Sequence, residues 1–206
     1  MFLTHYWNFR SYEIFDAKTN KTTPYSEWIN HTCQNIFEEN LACNNDSDPV
    51  KNTGNITELS MVKYLLQCGI NSVEFKKKHK IINIEEMDSR RKRMSTIIEK
   101  TDGKHRLYIK GASEFIVESC DKILDLEKNQ VLPLNQKIMA DTTQAIEDYS
   151  KNSLRTIGMA YVDLPDVYDL TNKDNRGCLQ IEKSGLTLIG ICGIKDIIRQ
   201  EVPDSI

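Results

Sequence analysis

The sequence predicts a mixed α+β fold, an antiparallel twisted sheet with helices packed on its faces. Three observations predict it. β-prone runs cluster at 81–85, 93–100 and 104–110, and an Asp102-Gly103 pair separates the last two, the pair that tight hairpins favour. Two further runs, 154–164 and 186–194, are dense enough in apolar residues to be buried strands. Segments with helical apolar spacing are interspersed among the strands rather than alternating regularly with them.

Taken in order, residues 2–15 read as two short strands around a turn near Asn8-Phe9-Arg10. Trp28, Ile29, Cys33, Ile36 and Phe37 place one apolar face on a helix over 25–37. From 38 to 55 the composition turns to Asn, Asp, Ser, Pro and Gly, and predicts an exposed loop. Thr57 is the expected cap of a helix over 58–68, with Gly69 just past its end, where a left-handed residue is wanted. If Asp102-Gly103 is the whole hairpin loop, Glu99 faces Arg106 and Ile97 faces Tyr108. Helices are expected over 112–123 and 134–150, and a long polar connection over 163–185.

The chain has 206 residues, 39% hydrophobic and 28% charged, which is long enough for a core and too apolar for wholesale disorder. Its net charge is −3, which excludes holding nucleic acid by bulk charge. The longest nearly apolar run, 185–194, falls short of the ~20 residues of a membrane-spanning helix. The N-terminal residues lack the pattern of a signal peptide. Six cysteines are widely spaced with no C-x-x-C pair, which favours reduced thiols over a disulfide framework or a zinc site. Asn20, Asn30, Asn45 and Asn55 each begin an N-x-S/T triplet, which matters only in a secretory lumen.

Several chemistries are not visible. There is no phosphate-binding P-loop, no G-x-G-x-x-G, no G-x-S-x-G elbow, and no metal spacing among His5, His31, His79 and His105. Two basic clusters stand out, Lys76-Lys77-Lys78-His79-Lys80 and Arg90-Arg91-Lys92-Arg93, each readable as a solvated face. Lys110-Gly111-Ala112-Ser113 ends a strand and opens a helix. A phosphate can sit at such a place, because glycine allows close backbone approach and helix N–H groups favour an anion. Alone, that segment is a weak signal, more often a glycine that merely turns strand into helix.

Five motifs occur together. They are Gly54-Asn55-Ile56-Thr57-Glu58, Arg91-Lys92-Arg93-Met94-Ser95, Lys110-Gly111-Ala112, Leu154-Arg155-Thr156, and Gly193-Ile194-Lys195-Asp196 running on to Arg199-Gln200-Glu201-Val202. In this order they resemble the nucleotide-binding domain of P-type cation-pumping ATPases, most like the plasma-membrane-type calcium pumps. The resemblance covers essentially the whole chain: 1–195 as the nucleotide-binding domain, 196–206 as the return into the phosphorylation domain. It implies an ATP site in which Glu58 hydrogen-bonds the adenine amino group. Lys110, Gly111 and Ala112 line the adenosine pocket, Lys92 reaches the phosphates, and Arg155 holds the phosphate chain. It implies ATP with Mg2+, the Mg2+ ligands lying outside this chain. The implied partners are the phosphorylation and actuator domains of the same pump. The implied place is the cytosolic face of a membrane, without direct membrane contact or nucleic acid.

Three departures from the family pattern stand out. Met87 lies five positions ahead of Lys92, where the family places a Phe that stacks on adenine. A ring contributes ~1–3 kcal/mol per base, a thioether only ~0.3–1.5 kcal/mol, so weaker adenine binding is expected. Ile197 replaces a hinge proline. The two-residue hairpin register puts Lys92 and Lys110 on opposite strand faces, so their convergence needs a bulge or Lys92 outside the pairing. The phosphorylated aspartate of Asp-Lys-Thr-Gly-Thr is absent from this sequence. The chain therefore reads as an excised domain that does not turn over ATP alone. The alternative is an interaction module whose basic stretch 76–93 holds an acidic partner or nucleic acid. A further variant is a pump of the same family that moves phospholipid or another cation.

Overall fold

The computed structural model describes residues 3–7, 10–13, 15–16, 21–22, 29–126 and 128–195. The segment 196–206, with Ile197 and the last motif, lies outside them, as do Tyr25 and Trp28.

The fold is a sheet between two helical layers. Near the N-terminus, β1 (Leu3–Trp7) and β2 (Arg10–Glu13) pair antiparallel, as expected, and β3 (Phe15–Asp16) and β4 (Lys21–Thr22) form a separate ribbon. Then come α1 (His31–Cys43), α2 (Ile56–Gln67), α3 (Ser72–Lys77), β5 (Ile81–Asp88), β6 (Arg93–Glu99) and β7 (His105–Ala112). They are followed by α4 (Ser113–Glu118), β8 (Cys120–Asp125), β9 (Gln130–Pro133), α5 (Gln136–Lys151), β10 (Leu154–Asp163) and β11 (Leu186–Lys195). The sheet order is β2-β1-β11-β10-β7-β6-β5, all antiparallel, with β8 parallel to the first half of β11 and β9 beside it. Alternation splits the core. Ile98, Tyr108 and Met159 pack under α1 and α2 (Phe37, Leu41, Met61, Leu65), while Ile97, Leu107, Ile109 and Ala160 pack under α4 and α5 (Ile116, Ile146, Tyr149).

The helix expected over 25–37 begins instead after Asn30, whose Oδ1 accepts from the Thr32 N–H at 3.0 Å, and continues to Cys43. The polar composition after Glu38 conceals the continuation. Asn40 is fully buried and donates to the Ala160 carbonyl at 3.2 Å, so the stripe from Cys33 through Phe37 runs on to Leu41. The cap of α2 is Asn55, not Thr57, which lies in its first turn; Gly69 follows its end at φ +88°, as expected. Of the N-x-S/T triplets, Asn30, Asn45 and Asn55 each accept from the backbone N–H two residues on, so they serve as caps and turns. The helix expected over 112–123 stops at Glu118. Cys120 onward is strand because it pairs with β11, tertiary pairing overriding local periodicity.

The hairpin register differs by one residue from the expected one. Glu99 faces His105, Ile97 faces Leu107, and Ile98 faces Arg106. The loop is three residues long. Lys100 N–H donates to the Lys104 carbonyl at 2.7 Å, and only Gly103, at φ +77°, takes a left-handed conformation. A two-residue loop would force Asp102 into positive φ as well. Here Asp102 accepts from the Lys104 N–H at 3.0 Å instead.

Candidate functional site

That slip brings the site together. In the observed register Met94 faces Lys110 and Arg93 faces Gly111, so Lys110 and Ala112 look toward α2. Lys92 lies just outside the pairing at φ +56°, and its carbonyl accepts from the Ala112 N–H at 3.0 Å. The turn before it is held by Asp88. Its Oδ1 accepts from the Arg90 and Arg91 N–H groups at 2.8 and 3.0 Å, and its carbonyl accepts from the Lys92 N–H at 2.8 Å. Lys92 and Lys110 thus share one cleft without a bulge between them.

The cleft has a volume of about 360 Å3 and draws on four separate segments. The start of α2 supplies Thr57, Glu58 and Met61. The β5–β6 turn supplies Met87, Asp88, Ser89 and Lys92, while β7 supplies Lys110 and Ala112, and β10 supplies Arg155, Thr156 and Ile157. Six of the seven residues singled out in the sequence therefore line one cavity.

The seventh, Gly111, does not line it, and the reading of that glycine changes. A Cβ there would lie 2.2 Å from the Lys92 carbonyl oxygen and 2.8 Å from the Arg93 Cα. The close approach it permits is that of β6 backbone rather than of a phosphate. Nor does the short α4 that follows face the cleft, and Ser113 at its start is fully buried.

At the floor, Lys110 is 1% exposed. Its Nζ lies 2.9 Å from Glu58 Oε1 and donates to the Asn44 main-chain carbonyl. Burial pulls its pKa down, and the Glu58 carboxylate beside it opposes the shift. Asn44 Oδ1 in turn accepts from Thr96 Oγ1 at 3.1 Å, so the end of α1 fixes the lysine head. Sequence reasoning missed Asn44 because the Asn44-Asn45 run reads as exposed loop; both are buried. At the mouth, Lys92 and Arg155 are exposed, and Met87 is 46% exposed. A carboxylate–lysine pair below, the apolar walls of Met61, Met87 and Ile157, and cations above accommodate a flat, donor-bearing ring with an anionic tail. No histidine lines the cleft to activate a nucleophile.

The basic stretch 76–93 is only partly an open cationic face: Lys78, Arg90 and Lys92 are exposed, while the other cations are paired or buried. Lys76 Nζ contacts the Asn45 carbonyl at 2.8 Å and Asp46 at 3.1 Å. Lys77 pairs with Glu74 at 2.7 Å and Lys80 with Glu99 at 2.6 Å, while Arg91 and Arg93 are buried. Among the described residues no cluster of three or more His, Cys, Asp or Glu could hold a metal ion, and no helix is long and apolar enough to cross a membrane.

The profile of the family described as P-type ATPase, cytoplasmic domain N, matches residues 30–201. The chain is 34% identical over 153 residues to Calcium-transporting ATPase 3, plasma membrane-type, of Oryza sativa subsp. japonica, covering 74% of this chain and 14% of that protein. It is 35% identical over 164 residues to Plasma membrane calcium-transporting ATPase 1 of Gallus gallus, covering 76% and 13%. It is 34% identical over 163 residues to Plasma membrane calcium-transporting ATPase 4 of Homo sapiens, covering 76% and 12%. The chain thus spans about an eighth of the length of these relatives. With a family match over most of its length, on the expected α+β architecture, the chain belongs to the P-type ATPase cytoplasmic domain N family.

Proposed function

We propose that this chain is the ATP-holding domain of a calcium-transporting P-type ATPase at the cytosolic face of a membrane. Its cleft would present the γ-phosphate of ATP to an aspartate in a neighbouring phosphorylation domain. The observation that carries the reading is the convergence of Glu58, Met87, Lys92, Lys110, Ala112 and Arg155, from four segments, on one cavity. Glu58 accepts from the adenine amino group while Lys110 holds its carboxylate in place. Met87 lies against the base, and Lys92 and Arg155 neutralise the phosphate chain. Phosphoryl transfer depends mostly on positioning and charge neutralisation, so a domain without a nucleophile still has a defined part in it.

The cleft's own carboxylates do not fit a magnesium site. Glu58 faces Lys110, and Asp88 Oδ1 is occupied by two backbone N–H groups. Magnesium is therefore assigned to the nucleotide phosphates and to other parts of the pump. The phosphorylation and actuator domains of the parent pump are the expected partners. The polyanion-binding alternative lacks support, since its basic stretch is largely paired or buried.

Calorimetric titration tests the proposal. ATP is expected to bind with Kd near 1 mM, about −4 kcal/mol. GTP is expected to bind at least tenfold more weakly, because its ring presents a carbonyl where Glu58 requires a donor. Equal affinity for the two, or no binding of ATP at several millimolar, overturns it. The pure chain is also expected to show no magnesium-dependent ATP hydrolysis, since the Asp-Lys-Thr-Gly-Thr nucleophile is not in its sequence.

A further inference from the structure

A second cavity, of about 390 Å3, lies on the opposite side of β6, between the start of that strand, the end of α4 and the 174–183 loop. Its floor holds two buried guanidinium groups: Arg91, which pairs with Glu182 and lies 3.8 Å from Glu85, a carboxylate shared with Lys173, and Arg93, which has no carboxylate partner among the described residues. Arg91 and Arg93 are each 6% exposed. Glu182, fully buried, takes Arg91 Nη2 at 2.5 Å and accepts from Ser95 Oγ and, at 2.8 Å, from the Leu179 N–H. That carboxylate is therefore committed.

Arg93 donates only to neutral oxygens. These are the carbonyls of Glu182 at 2.7 Å, Arg91 at 3.3 Å and Phe115 at 3.3 Å, and Ser119 Oγ at 3.4 Å. Among the described residues no carboxylate lies within ion-pair distance of it. Arg91 Nε is buried with no hydrogen-bond partner. Above them Arg176, whose guanidinium sits 5.7 Å from the Phe115 ring centroid, also has no carboxylate partner among the described residues. Lys183 is already paired, with Asp174 at 3.1 Å. A buried guanidinium in excess of its carboxylates is costly unless an anion accompanies it. Planar, donor-rich guanidinium groups suit an oxyanion in particular. Glu118 on the rim opposes a large polyanion and leaves room for a small one.

We infer that this cavity is a binding site for a small oxyanion of the phosphate class, held by Arg91 Nε, Arg93 and Arg176. The site is separate from the ATP cleft and does not rest on it.

The test follows arginine Nε–Hε and backbone amide NMR signals of the 206-residue chain during titration with inorganic phosphate at constant ionic strength. The Arg91 and Arg93 side-chain signals and the Ser119 and Cys178 amides are expected to move together in one saturating curve. Arg176→Gln is expected to weaken that curve about tenfold while leaving the urea midpoint and the ATP titration unchanged. Glycerol phosphate, run in parallel, separates the sources of the anion. Equal affinity assigns an esterified phosphoryl group, and a loss of tenfold or more assigns the free ion. A linear drift matched by chloride, a saturating curve that Arg176→Gln does not change, or shifts confined to Lys92 and Lys110 overturn the assignment.

Discussion

The two sides of β6 use basic residues in opposite ways. On the side facing α2, Lys92 and Arg155 stand exposed above Lys110, which is buried but paired with Glu58. On the far side, Arg91 and Arg93 are buried and stitch the 174–183 loop to the sheet through both the side chain and the main chain of Glu182. Neighbouring residues of one basic run thus serve two purposes, because successive side chains near a strand point to opposite faces. Charge that stays in solvent costs the fold little. Charge sealed behind the sheet anchors the fold, and removing its partner is expected to cost much more.

The largest expected effect is on the buried side. Glu182→Ala leaves buried Arg91 with only the distant Glu85 carboxylate, at 3.8 Å, and should destabilise the chain by about 3–5 kcal/mol in urea unfolding; a cost under about 1 kcal/mol would remove the anchoring role. On the cleft side, Lys92→Ala should leave stability within about 0.5 kcal/mol yet lower ATP affinity by about 1.5–3 kcal/mol, tenfold or more, by calorimetry. A large stability loss in that variant would erase the contrast between the faces. Gly111→Ala, between the two, drives a methyl group into the Lys92 carbonyl and should cost about 1–3 kcal/mol, read as a lowered urea midpoint. Met87→Phe should tighten ATP by about 1 kcal/mol, roughly fivefold, by restoring a stacking ring at the mouth.

The smallest effect is a pH dependence on the buried side's rim. The Cys178 N–H first, then Lys183 and the Arg176 N–H, hold Asp174 down to about 2, from 3.8. Its folded value lies below its unfolded one, so its stabilising contribution is complete above pH 3.8 and fades as pH falls toward 2. The difference in urea midpoint between the wild type and Asp174→Asn should therefore shrink over that window. A difference that stays constant would show that the Asp174 charge is not what holds the loop.

Seven strands of the main sheet and most helices were legible because their apolar spacing is regular, while β3, β4, β8 and β9 were not. Six cleft residues were legible through a resemblance carried by short motifs rather than through periodicity. What stayed hidden depended on partners distant in sequence. Asn40 reads as polar loop, yet satisfies a carbonyl of β10. Cys120 to Ile123 reads as helix until β11 lies alongside. The hairpin slip came from loop chemistry around Gly103, and it moved every face assignment by one, which is why Lys92 and Lys110 looked incompatible. Glu182 gave no signal at all, since one acid in a polar connection is indistinguishable from its solvated neighbours.

The most direct test of the account is an amide chemical-shift map of the chain titrated with ATP. Glu58, Met87, Lys92, Lys110 and Arg155 are expected to shift along one saturating curve with Kd near 1 mM, while Arg176, Cys178 and Glu182 keep their positions. Shifts centred on the arginine side, or no saturable response at several millimolar ATP, would contradict it.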